Sequence, residues 1–201
     1  MSLTVIYIHG FNSSPLSTKA QQLQAYFSQH KLAEEQGCQL FIPALNHQPA
    51  VAIQQLQQLI EVTINAQPAA NILLIGSSLG GYYSIWLAQQ YPQCRAVLIN
   101  PAVYPYRLLK GLLGENQNLY TAHKYQLSTE HIAQLQALEV SVVANPQRML
   151  LLSQTGDETL DYREAVDKLA AVEQRVTAGG NHGFENFVVV IPEIFDFVTA
   201  R

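Results

Sequence analysis

Short apolar runs alternate along the chain with longer segments in which apolar residues recur at helical spacing. The short runs are rich in leucine and β-branched residues, which is typical of strands buried on both faces of a parallel sheet. The strands predicted in this way are Thr4–Ile8, Gln39–Ile42, Asn71–Ile75, Ala96–Ile99, Met149–Ser153 and Val172–Val176.

The segments between these strands have the periodicity of amphipathic helices. In the segment Ser17–Gln36, for example, Leu23, Phe27 and Leu32 lie near one face. Strands that alternate with helices predict an α/β protein with a mostly parallel sheet of about six or seven strands flanked by helices. Pro192 is expected to kink the last predicted helix or to start a new one. The other predicted helices are Val51–Ile64, Gly80–Gln90, Asp161–Ala170 and Phe184–Ala200.

The segment 101–146 interrupts this alternation, because it shows no clear strand and contains several tyrosines among leucines. A connection of this length usually forms a lid or a binding segment. We predict a helical cap inserted into a single domain that spans residues 1–201. Two roles stay open for it: extra helices that cover one end of the sheet, or a cap that grips a substrate.

Composition narrows the class of protein. The chain has 201 residues, 48% of them hydrophobic and 13% charged, which fits one domain with a large core. The net charge of −4 argues against a nucleic-acid partner. The apolar runs are too short for a membrane span, and we see no export signal. We therefore expect a cytoplasmic protein in which Cys38 and Cys94 are reduced, buried thiols.

The pattern G-x-S-x-G occurs over Gly76–Gly80 and is centred on Ser78. A predicted strand precedes it and a predicted helix follows it, which is the context of a nucleophile elbow. The Ser78 hydroxyl would then project above the strand ends, near a helix N-terminus that favours negative charge. Ser77 is the neighbouring alternative, but it does not lie at the centre of the pattern. A phosphate-binding loop is disfavoured, because neither G-x-G-x-x-G nor a Walker lysine is present.

The first predicted strand leads into His9-Gly10-Phe11. A glycine at this point lets the backbone turn, so that the Phe11 N–H can point at the same volume as the Leu79 N–H. Two such donors would form an oxyanion hole for the tetrahedral intermediate of acyl transfer. We interpret His9 as a residue that shapes this loop.

A serine nucleophile needs a base, and histidine titrates in the right range. His182 lies in the glycine-rich segment 179–184, between the last predicted strand and the last predicted helix, where backbone freedom can bring its imidazole over the strand ends. We interpret the remaining histidines as surface residues: His30, His47, His123 and His131.

The histidine in turn needs a carboxylate that fixes its tautomer. Asp157 follows the predicted strand Met149–Ser153 in a short glycine-containing loop. Glu158 and Asp161 compete with it, although Asp161 is more readily explained as the N-cap of the next helix. The chain order serine, acid, histidine is the order found in α/β-hydrolases.

Four segments of the chain resemble the α/β-hydrolase superfamily: IYIHGFNSS, IGSSLGGYYS, TGDETLDYR and GGNHGF. More narrowly, the chain is similar to the small bacterial YqiA-type esterases. The resemblance implies an α/β-hydrolase fold and hydrolysis of carboxylic esters, including acyl-CoA thioesters, with Ser78 as nucleophile, Asp157 as acid and His182 as base. The expected mechanism requires no metal or organic cofactor, and the sequence shows no cluster of His, Cys and carboxylates with metal-ligand spacing.

The predicted insertion offers residues for a small-molecule acyl ester or thioester. An apolar wall for an acyl chain is expected from Tyr104, Tyr106, Leu109 and Leu112. Arg107 and Lys110 could meet an anionic group such as a coenzyme A phosphate, or simply form a solvated face. Two other functions are compatible with a fold of this class.

The first alternative to a hydrolase is a non-catalytic protein of the same fold that binds a small hydrophobic ligand. The second alternative is a nucleotide-binding protein.

Overall fold

A computed structural model describes residues 3–33 and 37–199. Six strands form one parallel sheet: β1 (Leu3–Ile8), β2 (Gln39–Phe41), β3 (Asn71–Ser77), β4 (Cys94–Ile99), β7 (Met149–Gln154) and β8 (Glu173–Thr177). Their order across the sheet is β2-β1-β3-β4-β7-β8. The predicted mostly parallel sheet flanked by helices is therefore confirmed.

Helices cover both faces of this sheet. Side chains of β1 alternate between the two layers. Val5 and Tyr7 pack with the helices Thr18–Gln29 and Phe187–Thr199 on one face, whereas Ile6 and Ile8 pack with the helices Pro49–Ala66 and Leu79–Gln90 on the other. The central strands β1, β3, β4 and β7 are buried on both faces, as the sequence predicted, whereas the edge strands β2 and β8 are largely exposed. The helices described are α1 (Thr18–Gln29), α2 (Pro49–Ala66), α3 (Leu79–Gln90), α4 (Pro105–Leu109), α5 (Thr129–Ala137), α6 (Tyr162–Lys168) and α7 (Phe187–Thr199).

Several helix ends differ from the predicted bounds. Helix α1 ends at Gln29, and Lys31 has φ 46°, which the α-helix does not allow. Residues 34–36 of the predicted helix lie outside the described residues. Helix α7 begins three residues late because Phe184 and Asn186 have positive φ. Pro192 lies inside α7 rather than at the start of a new helix, and Ala200 lies outside the described residues.

The segment 101–146 contains more than the helices expected there. Besides α4 and α5 it forms an antiparallel hairpin of β5 (Gly114–Gln117) and β6 (Lys124–Leu127). The sequence pattern did not predict these strands, because the hairpin sequence is polar and one face of the hairpin is exposed. The hairpin is tied to the loop after β1, where the Leu119 N–H donates to the Asn12 carbonyl oxygen over 2.9 Å.

Both cysteines are free and buried, as predicted. Within the part of the chain that the structure describes, each helix is too short or too polar to cross a membrane.

The contact between β1 and the start of α3 depends on Gly80. A Cβ at this position would collide with the backbone carbonyl of Ile8. We expect Gly80→Ala to lower the free energy of unfolding by about 1–3 kcal/mol or more, because backbone must move to admit the methyl group. Urea titration measures this loss. The matched control is Gly111→Ala, where a Cβ has no neighbour within 4 Å; equal stability of the two variants would contradict the close approach.

Candidate active site

Ser78 lies at the turn between β3 and α3 with φ 54° and ψ −119°. This conformation is strained for a residue other than glycine, so surrounding contacts must hold it. The Ser78 N–H donates to the Ile99 carbonyl oxygen over 3.0 Å, and the Ser78 carbonyl oxygen accepts from the N–H groups of Gly81 and Ala102. These bonds to β4 and the segment after it fix the serine backbone above the sheet, as a nucleophile elbow requires.

A continuous line of hydrogen bonds begins at this serine. The Ser78 hydroxyl lies 3.2 Å from His182 Nε2, and His182 Nδ1 lies 2.8 Å from Asp157 Oδ2. Because Nδ1 faces a carboxylate, it carries the proton, and Nε2 is left to accept from the serine. The side chains of Asp157 and His182 are 2% and 25% exposed, so the carboxylate is buried while the imidazole stays open to a substrate.

The buried Asp157 carboxylate is held by further donors. Its Oδ1 atom accepts the N–H groups of Thr159 and Leu160, each over 2.9 Å. Of its competitors, Glu158 accepts the backbone N–H of His182, which lowers the pKa of the exposed Glu158 carboxyl. Asp161 is the N-cap of α6 and pairs with Arg163. Asp157 is thus the carboxylate whose oxygens reach the His182 imidazole.

Two polar residues at strand ends position the loop that carries His182. Asn100, directly after β4, donates to the Asn181 carbonyl oxygen over 2.9 Å. Gln154, at the end of β7, accepts the N–H groups of Asn181 and Glu185 and donates to the Glu185 carbonyl oxygen. Sequence reasoning missed both, although polar residues at the carboxyl ends of buried strands were the available signal.

Lys19, on α1, also contacts this loop. Its ammonium donates to the Gly183 carbonyl oxygen over 2.8 Å. Burial lowers the pKa of Lys19 to about 8, and the nearby Asp157 carboxylate acts in the opposite direction. No motif pointed to this residue, since it lies in an ordinary helical segment.

The predicted oxyanion donors lie next to Ser78. A Cβ on Gly10 would come within 3.1 Å of Ser78 Cβ, so the loop before Phe11 runs directly against the serine. Leu79 is the first residue of α3, where an N–H has no acceptor inside its own helix. Among the described residues, neither the Phe11 nor the Leu79 N–H donates to another protein group. Both donors are free for a ligand.

His9 fixes the peptide that carries the Phe11 N–H. Its Nε2 accepts the Leu45 N–H over 3.2 Å, so Nδ1 carries the proton and donates to the Gly10 carbonyl oxygen over 3.1 Å. Burial lowers the pKa of His9, which favours this neutral form. The predicted structural role of His9 is consistent with these contacts.

Two cavities are lined by loops at the carboxyl edge of the sheet. The larger cavity, of about 560 Å³, borders Gly10, Phe11 and Leu79 and extends between residues 44–47 and the β5–β6 hairpin, where it is lined by His47, Asn118, Thr121, His123 and Tyr125. The smaller cavity, of about 240 Å³, lies between the segment after β4 and the loop before α6. Its lining residues include Ala102, Tyr104, Arg107, Leu160 and Glu164.

The four residues predicted to bind substrate are not brought together at one cavity. Tyr104 lines the smaller cavity, beneath Arg107. Tyr106 donates its hydroxyl to Glu139, Leu109 is buried in the core, and Leu112 is exposed. None of the four lines the larger cavity. Arg107 pairs with Glu164, and Lys110 is exposed.

Three histidines interpreted as surface residues gather around Tyr125: His123 is exposed as expected, His47 is half-buried, and His131 is buried. The His47 ring stacks on the Tyr125 ring with 4.3 Å between centroids, and both His123 and His131 lie 5.7 Å from His47. Residues 3–33 and 37–199 contain no group of three or more His, Cys, Asp or Glu side chains arranged to hold a metal ion. His30 lies apart from this group, at the end of α1.

The strand order, the elbow after β3 and the serine–histidine–aspartate arrangement place the chain among proteins of the α/β-hydrolase fold. The chain is similar to the solved structures of Est1E from Butyrivibrio proteoclasticus (TM-score 0.74, 15% identity, 99% of this chain and 87% of the other) and of the α/β hydrolase GrgF from Penicillium sp. sh18 (TM-score 0.71, 12% identity, 99% and 90%). It is also similar to the esterase domain of a Rhodothermus marinus protein (TM-score 0.65, 18% identity, 97% and 86%).

A family model narrows this class. The model described as "Uncharacterised protein family (UPF0227)" matches residues 4–199, so the chain belongs to this family. The predicted α/β-hydrolase fold is confirmed by the structural similarity.

Replacing Gln154 tests how the histidine loop is held. Gln154→Leu removes three hydrogen bonds to that loop, and a typical hydrogen bond contributes about 0.5–1.5 kcal/mol. We expect the amides of Asn181 and Glu185 to exchange hydrogen at least about tenfold faster, as measured by NMR. Gln54→Leu, on an exposed position of α2, is the control; unchanged exchange in Gln154→Leu would show that the loop is held by other contacts.

Proposed function

We propose that this protein is a serine hydrolase that cleaves small-molecule carboxylic esters or thioesters through an acyl-serine intermediate. The observation that carries the proposal is the hydrogen-bonded line from the Ser78 hydroxyl through His182 to Asp157. A serine hydroxyl is a weak nucleophile at neutral pH, and this arrangement supplies the base that activates it.

In the first half of the proposed reaction, Ser78 Oγ attacks the carbonyl carbon of the ester while His182 Nε2 takes the hydroxyl proton. Asp157 stabilises the imidazolium that forms. The oxyanion accepts hydrogen bonds from the N–H groups of Phe11 and Leu79, each of which is worth about 3 kcal/mol in comparable hydrolases. The tetrahedral intermediate collapses, His182 returns the proton to the leaving oxygen or sulfur, and the acyl group stays on Ser78.

Water completes the proposed cycle. It attacks the acyl-serine carbonyl while His182 Nε2 takes one of its protons. Collapse of the second tetrahedral intermediate breaks the bond to Ser78 Oγ, which regains the proton from His182, and the carboxylic acid leaves. No metal or organic cofactor enters these steps.

The names of the structural neighbours support an ester as the substrate. One neighbour is called an esterase domain, and Est1E has a structure with ferulic acid bound. At identities of 14–18%, these neighbours share the fold with this chain but do not establish its substrate. The proposed ester substrate therefore rests on the geometry at Ser78.

Replacement of the nucleophile is the first test. Ser78→Ala should lower kcat/KM for aryl esters by at least about 10³-fold, because the acyl-enzyme can no longer form. It should also abolish labelling by a fluorophosphonate, read out by peptide mass spectrometry. Ser77→Ala is the control, since Ser77 is the neighbouring buried serine. Labelling that persists in Ser78→Ala and disappears in Ser77→Ala would contradict the assignment.

The choice of carboxylate is tested separately. Asp157→Asn should lower kcat by about 10³- to 10⁴-fold with little change in KM, because an amide no longer selects the required histidine tautomer. Glu158→Gln keeps an acceptor for the His182 backbone N–H, and we expect less than about a tenfold loss. Steady-state kinetics on folded variants measures both. A larger loss in Glu158→Gln than in Asp157→Asn would contradict Asp157 as the carboxylate that orients His182.

A further inference from the structure

On the basis of the ester hydrolysis proposed above, we propose that the larger cavity binds an uncharged, hydroxyl-bearing ring of the substrate and disfavours anionic groups such as the phosphates of coenzyme A. The corresponding substrates are neutral esters of hydroxylated ring compounds.

The larger cavity lies next to the proposed reaction centre. Phe11 and Leu79, whose N–H groups are free for an oxyanion, also line the cavity, and Gly10 lies against Ser78. An ester carbonyl held by these donors therefore places one of its two substituents at the cavity mouth. A volume of about 560 Å³ falls within the range of small-molecule sites, about 300–1,000 Å³, and a substituted ring fits into it.

The lining carries no formal charge outside its histidines. None of the described residues that line it is Asp, Glu, Lys or Arg. Proteins bind phosphate through arginine or lysine side chains or through helix N-termini. The lining has neither arginine nor lysine, and its helix N-terminus, at Leu79, is assigned to the oxyanion of the reacting ester. The smaller cavity differs in having an arginine in its lining, Arg107. Its guanidinium is paired with the Glu164 carboxylate over 3.6 Å.

Two histidines of the lining, His9 and His47, have a lowered pKa, which favours their neutral form. Burial lowers the pKa of His47, and the neighbouring His131 and His123 lower it further, because like charges would lie side by side. His131 Nδ1 accepts the Ser128 N–H, and His9 Nε2 accepts the Leu45 N–H, so each uses one ring nitrogen as an acceptor. An anion entering the cavity would find no permanent positive charge.

The same lining offers hydrogen bonds and apolar surface. The imidazoles of His47 and His123 have no hydrogen-bond partner among the described residues, so their ring nitrogens can donate to or accept from a hydroxyl group. Phe11, Leu45 and Leu79 supply the apolar surface against which a ring can pack. Apolar walls with a few polar groups that fix orientation are typical of small-molecule sites.

Two pairs of neutral and anionic esters test this inference at about pH 8, above the range in which histidine ordinarily titrates. One pair carries the ring on the acid side: methyl para-(hydroxymethyl)benzoate and methyl para-carboxybenzoate. The other carries it on the alcohol side: para-(hydroxymethyl)phenyl acetate and para-carboxyphenyl acetate. In at least one pair we expect kcat/KM to favour the hydroxymethyl ester by about tenfold or more, because the carboxylate would lose its hydration without gaining a partner.

A charge placed in the cavity provides the matched test. Thr121→Lys adds a cation to the lining and should reduce the preference at least about fivefold in the same pair. Gln126→Lys adds the same charge to an exposed position of β6, outside the lining, and should leave the preference within about twofold. Thermal unfolding checks that both variants are folded. Binding of each ester to Ser78→Ala, measured by calorimetry, should show the same preference without turnover.

The outcomes separate this inference from the proposed function. Equal or reversed preference in both pairs, or equal effects of Thr121→Lys and Gln126→Lys, would overturn the neutral cavity even if Ser78 is labelled by a fluorophosphonate. Absence of labelling at Ser78 would overturn the proposed function, while a neutral-over-anionic preference in calorimetry would still support the cavity as a binding site. Equal binding of neutral and anionic esters in calorimetry would count against the cavity regardless of labelling.

Discussion

The hydrogen bond between Ser78 Oγ and His182 Nε2, 3.2 Å long, is the interaction on which the proposed chemistry depends. It joins residues 104 positions apart, so the fold must bring two loops to one edge of the sheet. Parallel strands do this because their carboxyl ends lie at the same edge. Ser78 follows β3, Asp157 follows β7, and His182 follows β8.

Each end of that hydrogen bond is held by a different kind of contact. The serine is held by backbone: a positive φ stabilised by bonds to β4 and by glycines that allow close packing with β1. The histidine is held by side chains, namely Asn100, Gln154 and Lys19 on its loop and Asp157 on its ring. Preorganised contacts of this kind lower the cost of reaching the transition state, because little has to move during the reaction.

Most of the sheet and the three proposed catalytic side chains were predictable, because both depend on local sequence signals. Buried strands read as apolar runs, and Ser78, Asp157 and His182 each lie within two residues of a glycine in the loop after a strand. The larger cavity was not predictable, since it combines the loop after β1, residues 44–47 and a polar hairpin. The tyrosines and leucines chosen from segment 101–146 looked suited to an acyl chain by composition alone, which does not say which way a side chain points. Helix ends were misjudged where single residues such as Phe184 take positive φ.

Detection of the acyl-enzyme tests the central claim most directly. The protein is mixed with an excess of a para-nitrophenyl ester, quenched in acid within milliseconds to seconds, and analysed by intact and peptide mass spectrometry. The account predicts a burst of about one equivalent of nitrophenol and a mass increase equal to the acyl group on the peptide that carries Ser78. Turnover of the ester with no adduct, or with an adduct on another residue, would contradict it.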